Sequence, residues 1–132
     1  MTIVPSRSRG GEAPVARVSI RLDLASGARI GPGKIALLEE IARHGSISAA
    51  GRALRMSYRR AWELVEDLNR HLGAPAVVAV TGGTGGGGTR LTEAGEALVR
   101  AYRAIEEATA KASATHLRDL AALGGTTATL SQ

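Results

Sequence analysis

The chain has no cysteine and no phenylalanine, and of its 132 residues only Tyr58, Trp62 and Tyr102 are aromatic. Without cysteine there is no disulfide, no thiolate metal site and no thiol nucleophile. Without phenylalanine the core must come from Leu, Ile, Val and Ala, and small aliphatic side chains favour close helix packing. Long hydrophobic runs are missing too: nowhere do about 18 apolar residues follow one another. Arg7 and Arg9 precede no apolar stretch, so neither a membrane span nor a secretory leader is expected, and the cytoplasm is the default location. Lysine is scarce, occurring only as Lys34 and Lys111. Arginine supplies fifteen of the 17 basic residues, which stand against 12 acidic ones for a formal net charge of +5. That balance fits a polyanionic partner. A general bias toward arginine would give the same total, so the distribution of charge has to decide.

A chain of this length has room for one domain. Residues 1–14 carry Pro5, Gly10, Gly11 and Pro14 among Ser and Arg and read as a disordered arm. Val18, Ile20, Leu22 and Leu24 alternate with polar residues, the period of a half-buried strand that Ser26-Gly27 ends. Gly31-Pro32-Gly33 opens a helix with Ile35, Leu38, Ile41 and Ala42 on one face, stopped by His44-Gly45. Ser46 or Ser48 can cap a second, shorter helix through Leu54. Arg55-Met56-Ser57 is then a turn into a third helix, which runs to about Leu72 with Ala61, Leu64, Val65, Leu68 and Leu72 as its buried stripe. Ala76–Val80 and Thr89-Arg90-Leu91 flank the glycine run 82–88 as a hairpin. Thr92 is placed to cap a long fourth helix from Glu93 to at least Ala112, which can persist toward Leu123 before Gly124-Gly125.

A short helix, a tight turn, a longer helix and a two-stranded hairpin, in that order, make a winged helix-turn-helix. The expected fold is therefore mainly α with a small β-hairpin wing and a long C-terminal dimerisation helix. Its parts are an arm at 1–14, the DNA-binding domain at 15–91, the long helix at 92–123 and a disordered tail at 124–132. Ala49, Ala50 and Ala53 are small enough for the two helices to cross closely, with Leu54 and Met56 filling the angle. The first turn of the third helix presents Ser57, Tyr58, Arg59 and Arg60, where a recognition helix enters the major groove, and arginine can fork onto guanine or clamp a phosphate. Trp62 lies one turn after Tyr58 and off the aliphatic stripe, so the pair is expected beside the arginines and not in the core centre. Tyr58 can touch a phosphate or a base methyl group, and for Trp62, where either role is open, packing against the first helix is preferred. In the wing, glycines allow close approach to the DNA backbone, with Arg90 and threonine hydroxyls on phosphates. The DNA-facing set comprises Ser46, Ser48, Ser57, Tyr58, Arg59, Arg60, Glu63, Thr84, Gly85, Gly86 and Arg90.

Other chemistry is poorly supported. A phosphate-binding loop needs Lys-Ser/Thr after its last glycine and then a helix, whereas Thr89-Arg90-Leu91 follows Gly88. His44, His71 and His116 are read as residues at three different helix ends, with no ligand pair among them. Glu39-Glu40, Glu66-Asp67 and Glu106-Glu107 read as solvated helix faces. No cofactor, metal or catalytic pair is expected, and the chain is not read as an enzyme.

The stretch GSISAAGRALRMSYRRAWELVEDLNR, the glycine loop TGGTGGGG and then RLTEAG resemble the N-terminal DNA-binding domain of the ModE family of molybdate-responsive regulators. More distantly, the segment resembles the LysR-type winged helix. The likeness spans roughly Val18 to Ala112 and implies a dimeric transcription regulator with its recognition helix starting at Ser57 and the glycine loop as its wing. Full-length relatives continue into oxyanion-binding β-barrel domains. No such strands occur before Gln132, so molybdate is not an expected partner of this chain.

Ala94, Leu98, Ala101, Ile105, Ala108 and Ala112 recur at alternating spacings of four and three, the seam of a coiled coil. The expected partners are thus double-stranded DNA and a second copy of the chain, with no membrane. A competing reading is a protein-interaction module of the same fold that pairs with a partner regulator and does not read DNA.

Overall fold

The computed structural model describes residues 16–81 and 88–124. The arm at 1–14, the glycine-loop residues Thr84, Gly85 and Gly86, and the tail at 124–132 apart from Gly124 lie outside the described residues. The elements are β1 (Leu22–Asp23), β2 (Arg29–Ile30), α1 (Pro32–His44), α2 (Ile47–Ala53), α3 (Tyr58–His71), β3 (Val77–Val80), β4 (Gly88–Leu91) and α4 (Glu93–Gly124). The chain divides into a larger unit, Ser19–Glu106, and a smaller one that joins Met1–Val18 to Glu107–Gln132. This is the expected architecture: mainly α, a hairpin wing and a long last helix.

The expected strand from Val18 to Leu24 shrinks to two residues. Gly27, at φ 101°, turns the chain back, so that only Leu22 pairs with Ile30 and Asp23 with Arg29. The carbonyl of Ile20 is taken instead by the Tyr102 hydroxyl, which donates to it at 2.8 Å. β2 was not foreseen.

The helix boundaries follow local chemistry. Pro32 opens α1, and Gly45 closes it in the left-handed region with its N–H on the Ile41 carbonyl. Ser46, not Ser48, caps α2 by accepting from the Ala49 N–H at 2.9 Å. Ser57 caps α3 by accepting from Arg60 N–H at 3.0 Å, and Thr92 caps α4 by accepting from Gly95 N–H at 3.0 Å. Such caps are each worth about 1 kcal/mol.

In the larger unit the core gathers Ile30, Ile35, Leu37, Leu38 and Ile41 with Ala50, Ala61, Val65, Leu68, Val77, Leu91 and Tyr102. The inner face of α1 is carried by Ile35, Leu37, Leu38 and Ile41, whereas Ala42, expected there, is exposed. Where α2 meets α3, Gly51 faces Ala61, and both are buried together with Ala50. Ala53 is exposed, and Gly51 faces the Met56 carbonyl, where an added Cβ would be 3.2 Å away. Lys34 joins α1 to α3 by donating to Asp67 at 2.7 Å and to the Arg29 carbonyl at 2.8 Å. The Lys34 hydrogen bond holds the Asp67 carboxyl below its ordinary pKa. The stability this pair contributes is present above the ordinary Asp range and is lost as pH falls through the lowered value.

The start of α4 packs against the chain entering β3. A Cβ on Gly95 would sit well inside contact distance of the Ala76 carbonyl oxygen, and that oxygen also accepts from Thr92 N–H at 2.9 Å. Gly95→Ala is therefore expected to destabilise the domain by about 1–3 kcal/mol, the usual cost of overpacking. A lowered midpoint in thermal denaturation followed by circular dichroism checks this, and an unchanged midpoint would contradict the packing.

Two further ties hold α4 within this unit. Tyr102 is fully buried, and Arg103 forks onto Glu39 of α1 at 2.7 and 2.9 Å while reaching Glu106 at 2.7 Å. The Glu39 carboxylate keeps the Arg103 guanidinium more basic than usual. In the smaller unit, Ala16 lies beside the stripe Ala110, Ala114, Leu117 and Ala121 of α4. His116 is exposed in the body of α4, two turns before Gly124, and so is not at a helix end as expected.

Candidate nucleic-acid interface

The corner between α2 and α3 is built by a hydrogen-bond pattern that ends many helices. Met56 N–H donates to the Gly51 carbonyl at 2.9 Å and Arg55 N–H to the Arg52 carbonyl at 3.1 Å. That pattern requires a left-handed residue between them. Arg55 occupies the position, at φ 60°, where glycine is usual.

From this corner α3 projects its first turn to solvent. Ser57, Tyr58, Arg59 and Arg60 are all exposed, while Ala61, Val65 and Leu68 on the opposite face are buried. Arg59 is 85% exposed and its Nε donates to Glu63 at 3.2 Å, so the carboxylate steers the guanidinium along the helix face. Ser46 and Ser57 use their oxygens as cap acceptors, which leaves each hydroxyl proton free to donate. Ser48 accepts from Arg52 at 3.0 Å.

Trp62 stands 45% exposed beside Tyr58, and with Arg59 and Glu63 they line a shallow open concavity. The reason is its angular position, one turn after Tyr58 and off the stripe that meets the core.

The wing is fixed to this scaffold at two points. Thr89 N–H donates to the Gly45 carbonyl at 2.9 Å, which joins β4 to the corner between α1 and α2. Asn69 of α3 holds β3 with both ends of its amide, accepting from Ala76 and Val77 N–H and donating to the Val77 carbonyl at 3.0 Å. β3 and β4 pair antiparallel, Val77 with Leu91 and Val80 with Gly88. Arg90 is exposed on β4.

Arg21, Arg29, Arg43, Arg70 and Arg103 each pair with a carboxylate, as does Arg59 at the start of α3. Arg52, Arg55, Arg60 and Arg90, all on the second half of α2, its turn, the start of α3 and the wing, have no carboxylate partner among the described residues. Elsewhere among those residues the same is true of Arg17, Arg100 and Arg118. Arg52 and Arg55 were not among the expected DNA-facing residues, although their place at the helix-turn-helix corner was legible. Asn69 gave no sequence signal, because its partners lie on a later strand.

Residues 33–96 match the model of the bacterial regulatory helix-turn-helix proteins of the lysR family. The chain is also 52% identical over 86 residues to the molybdenum-pterin-binding protein MopB of Rhodobacter capsulatus, which is 65% of this chain and 32% of that protein. It is 44% identical over 94 residues to MopA of the same organism, covering 71% and 36% of the two chains. The winged helix-turn-helix is homologous to that of the ModE and Mop proteins. With the molybdenum transport protein ModE of Azotobacter vinelandii the identity is 41% over 92 residues, 70% of this chain and 33% of the relative. The chain thus spans about a third of the length of the curated relatives it matches. The residues matched by the family model, 33–96, include α2, the turn at Arg55 and all of α3.

Among the described residues no group of three or more His, Cys, Asp or Glu is placed to hold a metal. No helix among them is long and apolar enough to cross a membrane.

Proposed function

We propose that this chain is a transcription regulator that reads double-stranded DNA as a homodimer, with the first turn of α3 in the major groove and the wing on the backbone. The observation that carries the reading is the gathering of carboxylate-free arginines around the Ser57-capped start of α3. Unpaired guanidinium groups on one surface are the electrostatic footprint of phosphate binding. Homology to regulators of the ModE type supports the same reading. Residues 15–91 are then the DNA reader and 92–123 the pairing helix, flanked by 1–14 and 124–132. Thr84, Gly85 and Gly86 belong to the wing tip of this proposal, and the cytoplasm is where such a regulator works.

The backbone of Arg55 adds support. A left-handed non-glycine residue costs about 1–2 kcal/mol, and an exposed arginine with no carboxylate partner among the described residues returns little to the fold for it. Arg55→Gly is expected to leave stability unchanged or raise it by up to about 1 kcal/mol, since glycine's greater freedom in the unfolded chain offsets part of the gain. The same change should weaken DNA binding uniformly across sequences, as loss of a phosphate contact does. Melting curves and duplex titrations on the same preparation check both halves. A variant that binds as tightly as the wild type removes Arg55 from the interface.

Selection from a random duplex pool tests the function itself. A two-fold pair sets its recognition helices about 34 Å apart, so the recovered sites should be inverted repeats with half-sites about one helical turn, or a multiple of it, apart. Failure to retain any duplex at low salt would favour the protein-interaction reading.

A further inference from the structure

The chain has three aromatic residues, and only Tyr102 is used in the core. The other two, Tyr58 at 57% exposed and Trp62 at 45%, stand one helical turn apart on the outward face of α3. Aromatic side chains carry the largest apolar area of any residue. In a protein so poor in them, leaving two in water on one helix face needs a reason. The core gives none, since Ala61, Val65 and Leu68 fill the inner face of α3 without them. The two rings and the neighbouring Arg59 and Glu63 border an open concavity, and the Arg59–Glu63 pair closes one side of it with polar groups.

We propose that Tyr58 and Trp62 form an apolar reader for thymine, receiving the 5-methyl group that this base alone projects into the major groove. The inference rests on the DNA-binding reading above and deepens it by assigning a base class to two residues. In the major groove a thymine presents one acceptor and a methyl group, and the methyl is recognised by apolar contact. An arginine or a serine hydroxyl cannot discriminate it, whereas an exposed aromatic edge can. The polar border set by Arg59 and Glu63 keeps the rest of the helix face available for hydrogen bonds to neighbouring base edges or phosphates.

Uracil replaces thymine with loss of the methyl group alone. Each thymine of a site recovered from the random pool is changed to uracil in turn, and binding is followed by anisotropy and by the emission of Trp62, the single tryptophan of the chain. At one or two positions in each half-site, the wild type should bind the uracil duplex roughly threefold to fivefold more weakly, the worth of one buried methyl group. The shift in Trp62 emission on binding should shrink at the same positions. Trp62→Ala should bind less tightly overall and lose its sensitivity to uracil at one of them, while Trp62→Phe retains it. Because Trp62 is exposed, circular dichroism should find both variants folded as the wild type. Equal binding of every uracil duplex by the wild type overturns the proposal. So does a Trp62→Ala variant that either keeps the full uracil penalty or binds DNA as tightly as the wild type, the result expected if the rings serve a protein partner. Those outcomes leave DNA binding itself intact. A wild type that retains no duplex at low salt overturns both readings together.

Discussion

Arg60→Ala is expected to weaken binding to a selected duplex by roughly tenfold to a hundredfold, within the about 1–3 kcal/mol that a well-placed base contact is worth. Arg60 sits in the first turn of α3, exposed and without a carboxylate partner. Among the described residues no carboxylate competes for it. Arg59→Ala should fall in the same range, although it also releases Glu63 from the pair at 3.2 Å and so leaves a carboxylate facing the DNA. Neither change should move the thermal midpoint appreciably, because an exposed ion pair contributes little to stability. The pattern across sequences separates the two uses of an arginine. Loss of a guanine contact relaxes preference at one base pair, whereas loss of a phosphate contact weakens every duplex alike. Normal binding by both variants would remove the start of α3 from the interface.

The second large effect is expected from Ile105→Glu, which should convert a dimer into monomers and weaken operator binding sharply. Of the proposed pairing residues in the larger unit, Ala94 and Leu98 are half-buried, and Leu98 packs on the core of its own domain. Ala101 is exposed, and Ile105 is 42% exposed although it is a large apolar residue. In the smaller unit Ala108 and Ala112 are exposed as well. Leu98→Glu would therefore damage the fold together with the seam, and Ile105→Glu isolates the pairing. A charge placed in a coiled-coil seam has no partner and must be dehydrated, which disfavours association. Light scattering at micromolar concentration should give a dimer for the wild type and a monomer for the variant. A monomeric wild type that still binds DNA tightly would contradict the two-fold arrangement.

Much of this was legible because the information is local. The stripe on α3 has the helical period, Ser57 and Thr92 sit where caps must sit, and Gly45 ends α1 as its position suggested. What escaped the sequence depends on partners far along the chain. Tyr102 looks like any helix residue until its hydroxyl meets the Ile20 carbonyl, 82 positions away. Arg103 and Glu39 are 64 apart, and their pairing is invisible to any local pattern. Asn69 could have been a solvated polar residue, and its grip on β3 emerges only once the wing is folded against α3. Trp62 was legible as lying off the Ala61, Val65 and Leu68 stripe, beside Tyr58 and the arginines, and there it stands half exposed.

The most direct test of the central claim is the salt dependence of duplex binding by the wild type, measured beside Arg60→Ala on the same selected site. The affinity of the wild type should fall linearly with the logarithm of salt concentration, with a slope of about −0.9 for each phosphate contacted. Arg60→Ala should bind more weakly at every salt concentration, and its slope should be shallower by about 1 if Arg60 lies on a phosphate and unchanged if it reads a base. Wild-type binding that is absent at low salt, or that is indifferent to salt and to the loss of Arg60, would contradict the account.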